Sequence, residues 1–192
     1  MVEQATRAAI VPKRIQAPEG KPLRLDLGCG DNKAEGYYGI DIAACAAVDY
    51  THDLNAFPWP IDDATVDEIR CSHFFEHLTG AQRIRFMEEC FRVLKAGAKM
   101  AIAVPHHNSN RAIQDPTHQW PPVCEQSFLY FNAKWMEDNK LQHYGIKCDF
   151  DFSYGYSMDP DVAVRNAEYQ QYAIKHLSNS ALDLHVTLTK RG

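Results

Sequence analysis

No stretch of this 192-residue chain approaches the roughly 18 consecutive apolar residues that a membrane-spanning helix needs, so no membrane span is expected. The opening segment, MVEQATRAAIVPKRIQAPEG, has only a four-residue apolar stretch before Pro12, Lys13 and Arg14, too little for a secretory leader. There is no CxxC pair. The six cysteines (Cys29, Cys45, Cys71, Cys90, Cys124, Cys148) are scattered, a pattern that reads as reduced thiols and a cytoplasmic location. A basic excess is missing too: 20 Lys and Arg stand against 25 Asp and Glu, a net charge of −5. That balance disfavours a surface built to grip phosphate backbones. Internal repeats, low-complexity tracts and Gly/Ser linkers are absent, so the expected organisation is a single domain over 23–192 behind a short arm, 1–22. Hydrophobic residues at 45% supply enough material for its core.

What the chain does contain is a series of short apolar runs alternating with loops and helical patterns. Strands are expected at Leu23–Leu27, Tyr37–Ile42, Ala47–Thr51, Val66–Cys71 and Lys99–Val104, the last stopped by Pro105. Between the fourth and fifth, Thr79 and Gln82 are spaced as a capping box. Ile84, Met87, Cys90, Phe91 and Leu94 form an apolar helical stripe, and Gly97 is placed to close that helix. A strand, a helix and a strand in this order make a parallel βαβ unit. A second helix is expected over roughly 127–139, a helical stretch over 161–177, and two further strands within 147–157 and 181–189. The fold class is α/β: a Rossmann-like, mostly parallel open sheet ending in a C-terminal antiparallel strand pair. Only Gly30 to Tyr37 separates the first two strands, less than the dozen or so residues of an ordinary crossover, so that connection is trimmed or irregular.

The run Leu25-Asp26-Leu27-Gly28-Cys29-Gly30 puts a carboxylate inside the first strand and two glycines at its carboxyl tip. In an open α/β sheet that edge is where ligands bind, and glycine lets them approach the backbone. A dinucleotide fingerprint would want a third glycine where Lys33 stands, and an acidic ribose ligand about 20 residues further on. Here Asp41 ends the second strand only 11 residues past Gly30, where its carboxylate can accept hydrogen bonds from both hydroxyls of a ribose. Asp26, Asp41 and Asp53 at three neighbouring strand ends would repel a pyrophosphate. They suit S-adenosylmethionine, whose sulfonium, ammonium and single carboxylate sum to a positive charge.

Four segments in order, LRLDLGCG, GYYGIDI, THDLNAFPWPIDDATVDEIRCSHFFEHL and FRVLKAGAKMAIAVP, resemble the class I S-adenosylmethionine-dependent methyltransferases, closest to the small type 11 group. The resemblance covers roughly 23–105. It implies that Asp26, Gly28 and Gly30 cradle the methionine part, Asp41 and Ile42 hold the ribose, and Asp53 and Leu54 meet the adenine. Ser72 and His73 would line the methyl side, and S-adenosylhomocysteine would be the product. The chain departs from the family in its short first crossover, in Ala98 where a second glycine is usual, and in having almost no helix before the first strand.

Two other readings compete. His73-Phe74-Phe75-Glu76-His77 spells the HxxEH pattern of inverted zinc metallopeptidases. That chemistry needs both histidines on one helical face, whereas this pattern starts at a strand end and meets a fresh helix cap at Thr79. The other is a cofactor-binding or assembly module without turnover. For transfer itself, the most loaded stretch is the insertion 105–126, expected to cover the acceptor. His106, following Pro105 at the strand edge, is the first candidate for a general base or acceptor contact, with Asp115 and His118 either returning to the pocket or tying the loop down. His107 is expected to point away from His106, which disfavours a shared metal ion, and no metal is assigned. Trp59 either edges the adenine pocket or packs in a loop, and Tyr154 and Tyr156 read as sheet packing. The fourth strand lacks an Asn/Asp-Pro-Pro-Tyr/Phe signature and the chain has no Pro-Cys dipeptide, so a small-molecule, sugar or nucleotide acceptor is expected rather than nucleic acid. The oligomeric state is open.

Overall fold

A computed structural model describes residues 14–192, so most of the expected arm 1–22 lies outside the described residues. Seven strands form one sheet in the order β3-β2-β1-β4-β5-β7-β6. They are β1 (Arg24–Leu27), β2 (Tyr38–Asp41), β3 (Tyr50–Thr51), β4 (Val66–Ser72), β5 (Leu94–Pro105), β6 (Phe150–Met158) and β7 (Ala181–Lys190). The first five pair in parallel, while β7 runs antiparallel to both β5 and β6. The carboxyl ends of β1, β2, β4 and β5 therefore share one edge.

The crossover between β4 and β5 is α1 (Gly80–Val93), opened by the Thr79–Gln82 capping box. Its buried side is Phe86, Met87, Cys90 and Val93, with Ile84 and Phe91 only partly covered. Leu94 has already left the helix and begins β5, and Gly97 lies four residues into that strand with φ +74° rather than at the helix end. A register slip between Val66 and Glu68 absorbs the extra residues of β5. The stretch expected as one helix from 127 to 139 is instead a 3-10 turn, Glu125–Phe131, followed by α3 (Ala133–Asp138). Asn132, extended at φ −110°, breaks the two apart and caps α3 by accepting from the Trp135 N–H. The short helix α2 (Arg111–Gln114) sits inside the 105–126 insertion, and α4 (Pro160–Ala163) and α5 (Ala167–His176) precede β7.

Between β1 and β2 the chain makes two tight turns and no helix. One sheet face buries Leu25, Leu27, Ile69, Cys71, Met100, Ile102, Val186 and Leu188 in the core. Along β5 and β7, Ala101, His185 and Thr187 on the alternate positions stay exposed, as expected of a sheet solvated on one side. Phe86 sits at the middle of the core with ring centroids 5.6 Å from Trp59, 5.6 Å from Phe74 and 6.0 Å from Phe75. Trp59 is 2% exposed, so it packs the core rather than edging a pocket. All six cysteines are free thiols. No helix among the described residues is long and apolar enough to cross a membrane.

Candidate active site

At the shared strand edge a cavity of about 240 Å³ is lined by Gly28, Asp41, Ile42, Asp53, Leu54, Asn55, Phe74 and His77. Gly28 turns there with φ +68°, and a Cβ at this position would meet the Phe74 ring at 2.5 Å. The position therefore needs glycine on both backbone and steric grounds. Asp41 Oδ2 accepts from the Gly30 N–H at 2.9 Å and Oδ1 from the Ala43 N–H at 2.9 Å, which fixes the carboxylate at the mouth. Each oxygen keeps a lone pair for a ligand hydroxyl. Asp53 accepts from the Asn55 N–H, and the Trp59 indole N–H donates to the Leu54 carbonyl at 3.1 Å. Glu89 accepts from the Trp59 backbone N–H at 2.6 Å and pairs with Arg92, tying this wall to α1. Trp59 thus shapes the cavity from behind.

Other residues singled out in the sequence lie beside this cavity rather than in it. Asp26 is fully buried beneath it, with Oδ2 accepting from the Ala34 N–H and paired to Arg70 at 2.6 Å, while Oδ1 has no partner. Gly30, at φ +49°, contributes its N–H to Asp41. Ser72 lines a separate groove on the open sheet face with Arg70, Ala101 and His185. Lys33, at the absent third glycine, bonds Asp49 at 2.7 Å, and its stem lies over Gly39.

His73 leaves β4 in the left-handed region, φ +54°, and only Phe75–His77 of the HxxEH run form a 3-10 turn. The two histidines do not share a helix face, so the metallopeptidase arrangement is not formed. His73 Nδ1 lies 3.3 Å from Glu76 Oε1, and contact with that carboxylate raises the His73 pKa. The field of Asp183 acts in the same sense. Asp183 itself is buried and pairs with Arg111 at 2.8 Å.

The insertion folds back over this end of the edge. Buried Arg83 on α1 holds it, donating to the carbonyls of Phe75, Glu76, Gln119 and Pro121. The Gln119 N–H donates to the Glu76 carbonyl as well. This places the His118 ring 4.8 Å from that of His77, and Asp115 beside them in a turn closed by Thr117. His106, by contrast, is fully buried in a different cluster. Its Nδ1 accepts from the Asn108 N–H, so Nε2–H donates to Glu125 at 3.2 Å. Tyr156 also donates to Glu125, a role beyond sheet packing. Burial raises the Glu125 pKa, but these two hydrogen bonds outweigh it and hold the carboxyl at about 2. The His106 and His107 rings do not diverge; their centroids are 4.2 Å apart, because the strand ends at Pro105 and the alternation of an extended chain ends with it.

Asn55, Phe74 and His77 complete the cavity without having been assigned to it from sequence. Phe74 and His77 stand inside a run noted for its metal-ligand spacing and as part of the family resemblance, which assigned only His73 of it to the ligand. Asn55 carried no signal beyond following Asp53 and Leu54.

Residues 25–102 match the family model described as a methyltransferase domain. A probable S-adenosylmethionine-dependent methyltransferase of Mycobacterium tuberculosis is 30% identical over 103 residues, covering 43% of this chain and 35% of the relative. The chain thus spans about a third of the length of the curated relatives it matches. Among solved structures, a SAM-dependent methyltransferase from Archaeoglobus fulgidus superposes with a TM-score of 0.61 at 19% identity, covering 89% of this chain and 87% of that one. One from Methanosarcina mazei gives 0.52 at 16% identity, covering 89% and 93%. At these identities the likeness is one of fold.

Proposed function

We propose that the chain is a class I S-adenosylmethionine-dependent methyltransferase and that its strand-edge cavity binds S-adenosylmethionine for methyl transfer to a small-molecule acceptor, a reading supported by the methyltransferase-domain match over residues 25–102 and by the partial relative. The carrying observation is Asp41, fixed by two backbone N–H groups at the mouth of a cavity that also holds Gly28, Ile42, Asp53 and Leu54. In this reading the ribose hydroxyls donate to Asp41, the adenine lies against Ile42 and Leu54 with its exocyclic amine toward Asp53, and the methionine part runs over Gly28 toward His73. Asp26 Oδ2 is engaged by Arg70 and the Ala34 N–H, while its unpartnered Oδ1 is left for the methionine side of the ligand.

The acceptor enters between His73 and the insertion, on the side of Arg111, Asp183 and His118. Displacement at a carbon activated by sulfonium needs positioning and exclusion of water more than a base. Of the sequence candidates for transfer, Asp115 and His118 border this entrance, and the exposed half of His73 is the nearest titratable group on the strand edge itself. His106 acts on this site only through the loop it anchors. The acidic balance of the chain favours a modest acceptor over nucleic acid.

Calorimetric titration with S-adenosylhomocysteine tests the reading. Binding is expected, and Asp41→Ala should weaken it by about 1.5–3 kcal/mol, the loss of a charge-assisted hydrogen-bond pair. No heat at millimolar ligand, with the protein folded, would overturn it. Binding without turnover across a broad acceptor panel would instead favour the non-catalytic module.

A further inference from the structure

Glu76 has a buried carboxylate that the fold leaves unmatched. The residue is 5% exposed, yet neither Oε1 nor Oε2 has a hydrogen-bond partner. The imidazole of His73 lies 3.3 Å from Oε1, and the Arg83 guanidinium acts on the carboxylate only through its field. Burying a carboxylate without donors is costly unless a positive group completes it. The main chain of Glu76 is well held, its carbonyl accepting from Arg83 and from the Gln119 N–H, so the backbone that carries the carboxylate is fixed.

Next to it stand His77 and His118, and their hydrogen bonds settle which nitrogens are free. The Thr117 hydroxyl donates to Asp115 Oδ1 at 2.7 Å, so toward His77 Nδ1, 2.9 Å away, Thr117 Oγ1 acts as acceptor. His77 therefore carries its proton on Nδ1. His118 Nδ1 lies 3.2 Å from the Ala112 carbonyl, which can only accept. Both imidazoles are thus tied through Nδ1–H to an oxygen, which leaves Nε2 as the ligand atom; that of His118 lies 3.7 Å from Asp115 Oδ2, a second carboxylate beside the cluster. That is the arrangement in which histidines hold metal ions, with the second nitrogen anchored by a carbonyl or a hydroxyl–carboxylate relay. One donor atom each from Glu76, His77 and His118 lies within 4.8 Å of the others. Closing to ligand distances of about 2.0–2.2 Å needs side-chain shifts on the order of 1 Å.

We propose that Glu76, His77 and His118 form a binding site for a divalent first-row transition ion, with Thr117 and Asp115 orienting His77 and Arg83 holding the two ligand segments together. Two imidazoles and one carboxylate suit zinc, cobalt, iron or manganese, and three protein ligands leave positions open for another molecule. Because His77 also lines the cavity of Gly28 and Asp41, while His118 borders the acceptor entrance, those open positions lie between the two. Only that last placement rests on the methyltransferase reading. A second cluster, His106, His107 and Glu125, has donor atoms equally close together. There His106 Nδ1 is an acceptor, so its proton sits on Nε2, and Glu125 already receives two donors. Its His106 Nε2 and Glu125 Oε1 are thus already engaged with each other.

The test is titration of the metal-stripped full chain with Co(II), followed by visible absorption, and with Zn(II), followed by calorimetry. One equivalent per chain is expected, with visible bands from the bound cobalt. His118→Ala and Glu76→Gln should each weaken binding by about 100-fold or more, while His107→Ala leaves it unchanged. If His118→Ala melts early, His118→Gln gives the same comparison in a side chain of similar reach. Wild-type protein that takes up neither ion overturns the proposal, as does uptake lost in His107→Ala but retained in His118→Ala. Titrating S-adenosylhomocysteine against the same samples separates the two readings. Normal cofactor binding without metal uptake removes only the metal site, and metal uptake without cofactor binding removes only the methyltransferase reading.

Discussion

The two ends of the strand edge that carries the proposed site are built differently. Around β1 and β2 the walls are main chain and short side chains at their own strand tips: Gly28 in its turn, Asp41 accepting from the Gly30 and Ala43 N–H groups, Asp53 accepting from Asn55. Around β4 and β5 the walls are long side chains meeting across the sequence. Thr117 reaches His77 from 40 positions away, and Arg83 bonds carbonyls on both the HxxEH run and the insertion. The first end is set by local backbone geometry. The second exists only once the chain has folded around Arg83, and a single side chain can dissolve it.

Arg83→Met should therefore have the largest effect. It strips four carbonyls of their donor, two of them in buried hydrogen bonds, and removes the guanidinium whose field acts on Glu76, a loss of about 3–5 kcal/mol in denaturant unfolding. In the fraction that stays folded, affinity for S-adenosylhomocysteine should hold, because none of the Gly28–Asp41 wall depends on Arg83. Equal damage to both ends would break the division. Gly28→Ala tests the other end: a Cβ against the Phe74 ring costs about 1–3 kcal/mol of stability by overpacking. Cofactor affinity should fall with it, as the turn and Phe74 move together.

A subtler probe is pH. Glu125 is held at about 2 against an ordinary value near 4.5. A depressed carboxyl contributes its full stabilisation above the unfolded value and loses it as pH falls toward the folded one. Unfolding free energy should thus drop between about pH 4.5 and pH 2, and Glu125→Gln should flatten that part of the profile. A profile unchanged by the substitution would remove the His106–Glu125–Tyr156 group as an anchor of the insertion. The smallest effect belongs to Lys33→Ala. Its ion pair with Asp49 is partly solvated and contributes at most about 1 kcal/mol. Calorimetry should find cofactor affinity unaltered, and a large loss would make Lys33 a ligand contact.

The same contrast explains what could be read from the residues. The strand ends, the capping box at Thr79 and Gln82, and the antiparallel C-terminal pair follow from periodicity and turn chemistry, which act over a few neighbours. Gly28, Asp41 and Asp53 follow from their places at the strand ends, whereas Ile42 and Leu54 were implied by the family resemblance. The break at Asn132 and the early start of β5 did not show, because a strong apolar stripe masks a boundary that packing decides. Nor could spacing reveal that His118 meets His77 while His106 turns inward to Glu125. Histidines one or twelve positions apart look equivalent in a loop until a buried guanidinium sets its path.

The account stands most directly on where a bound cofactor product would lie. A crystal structure of the chain with S-adenosylhomocysteine should show the ribose hydroxyls on Asp41, the adenine against Ile42 and Leu54, and the sulfur on the His73 side of Gly28, with His106 still bonded to Glu125. A ligand seated elsewhere, with Asp41 bonded only to Gly30 and Ala43, would contradict it.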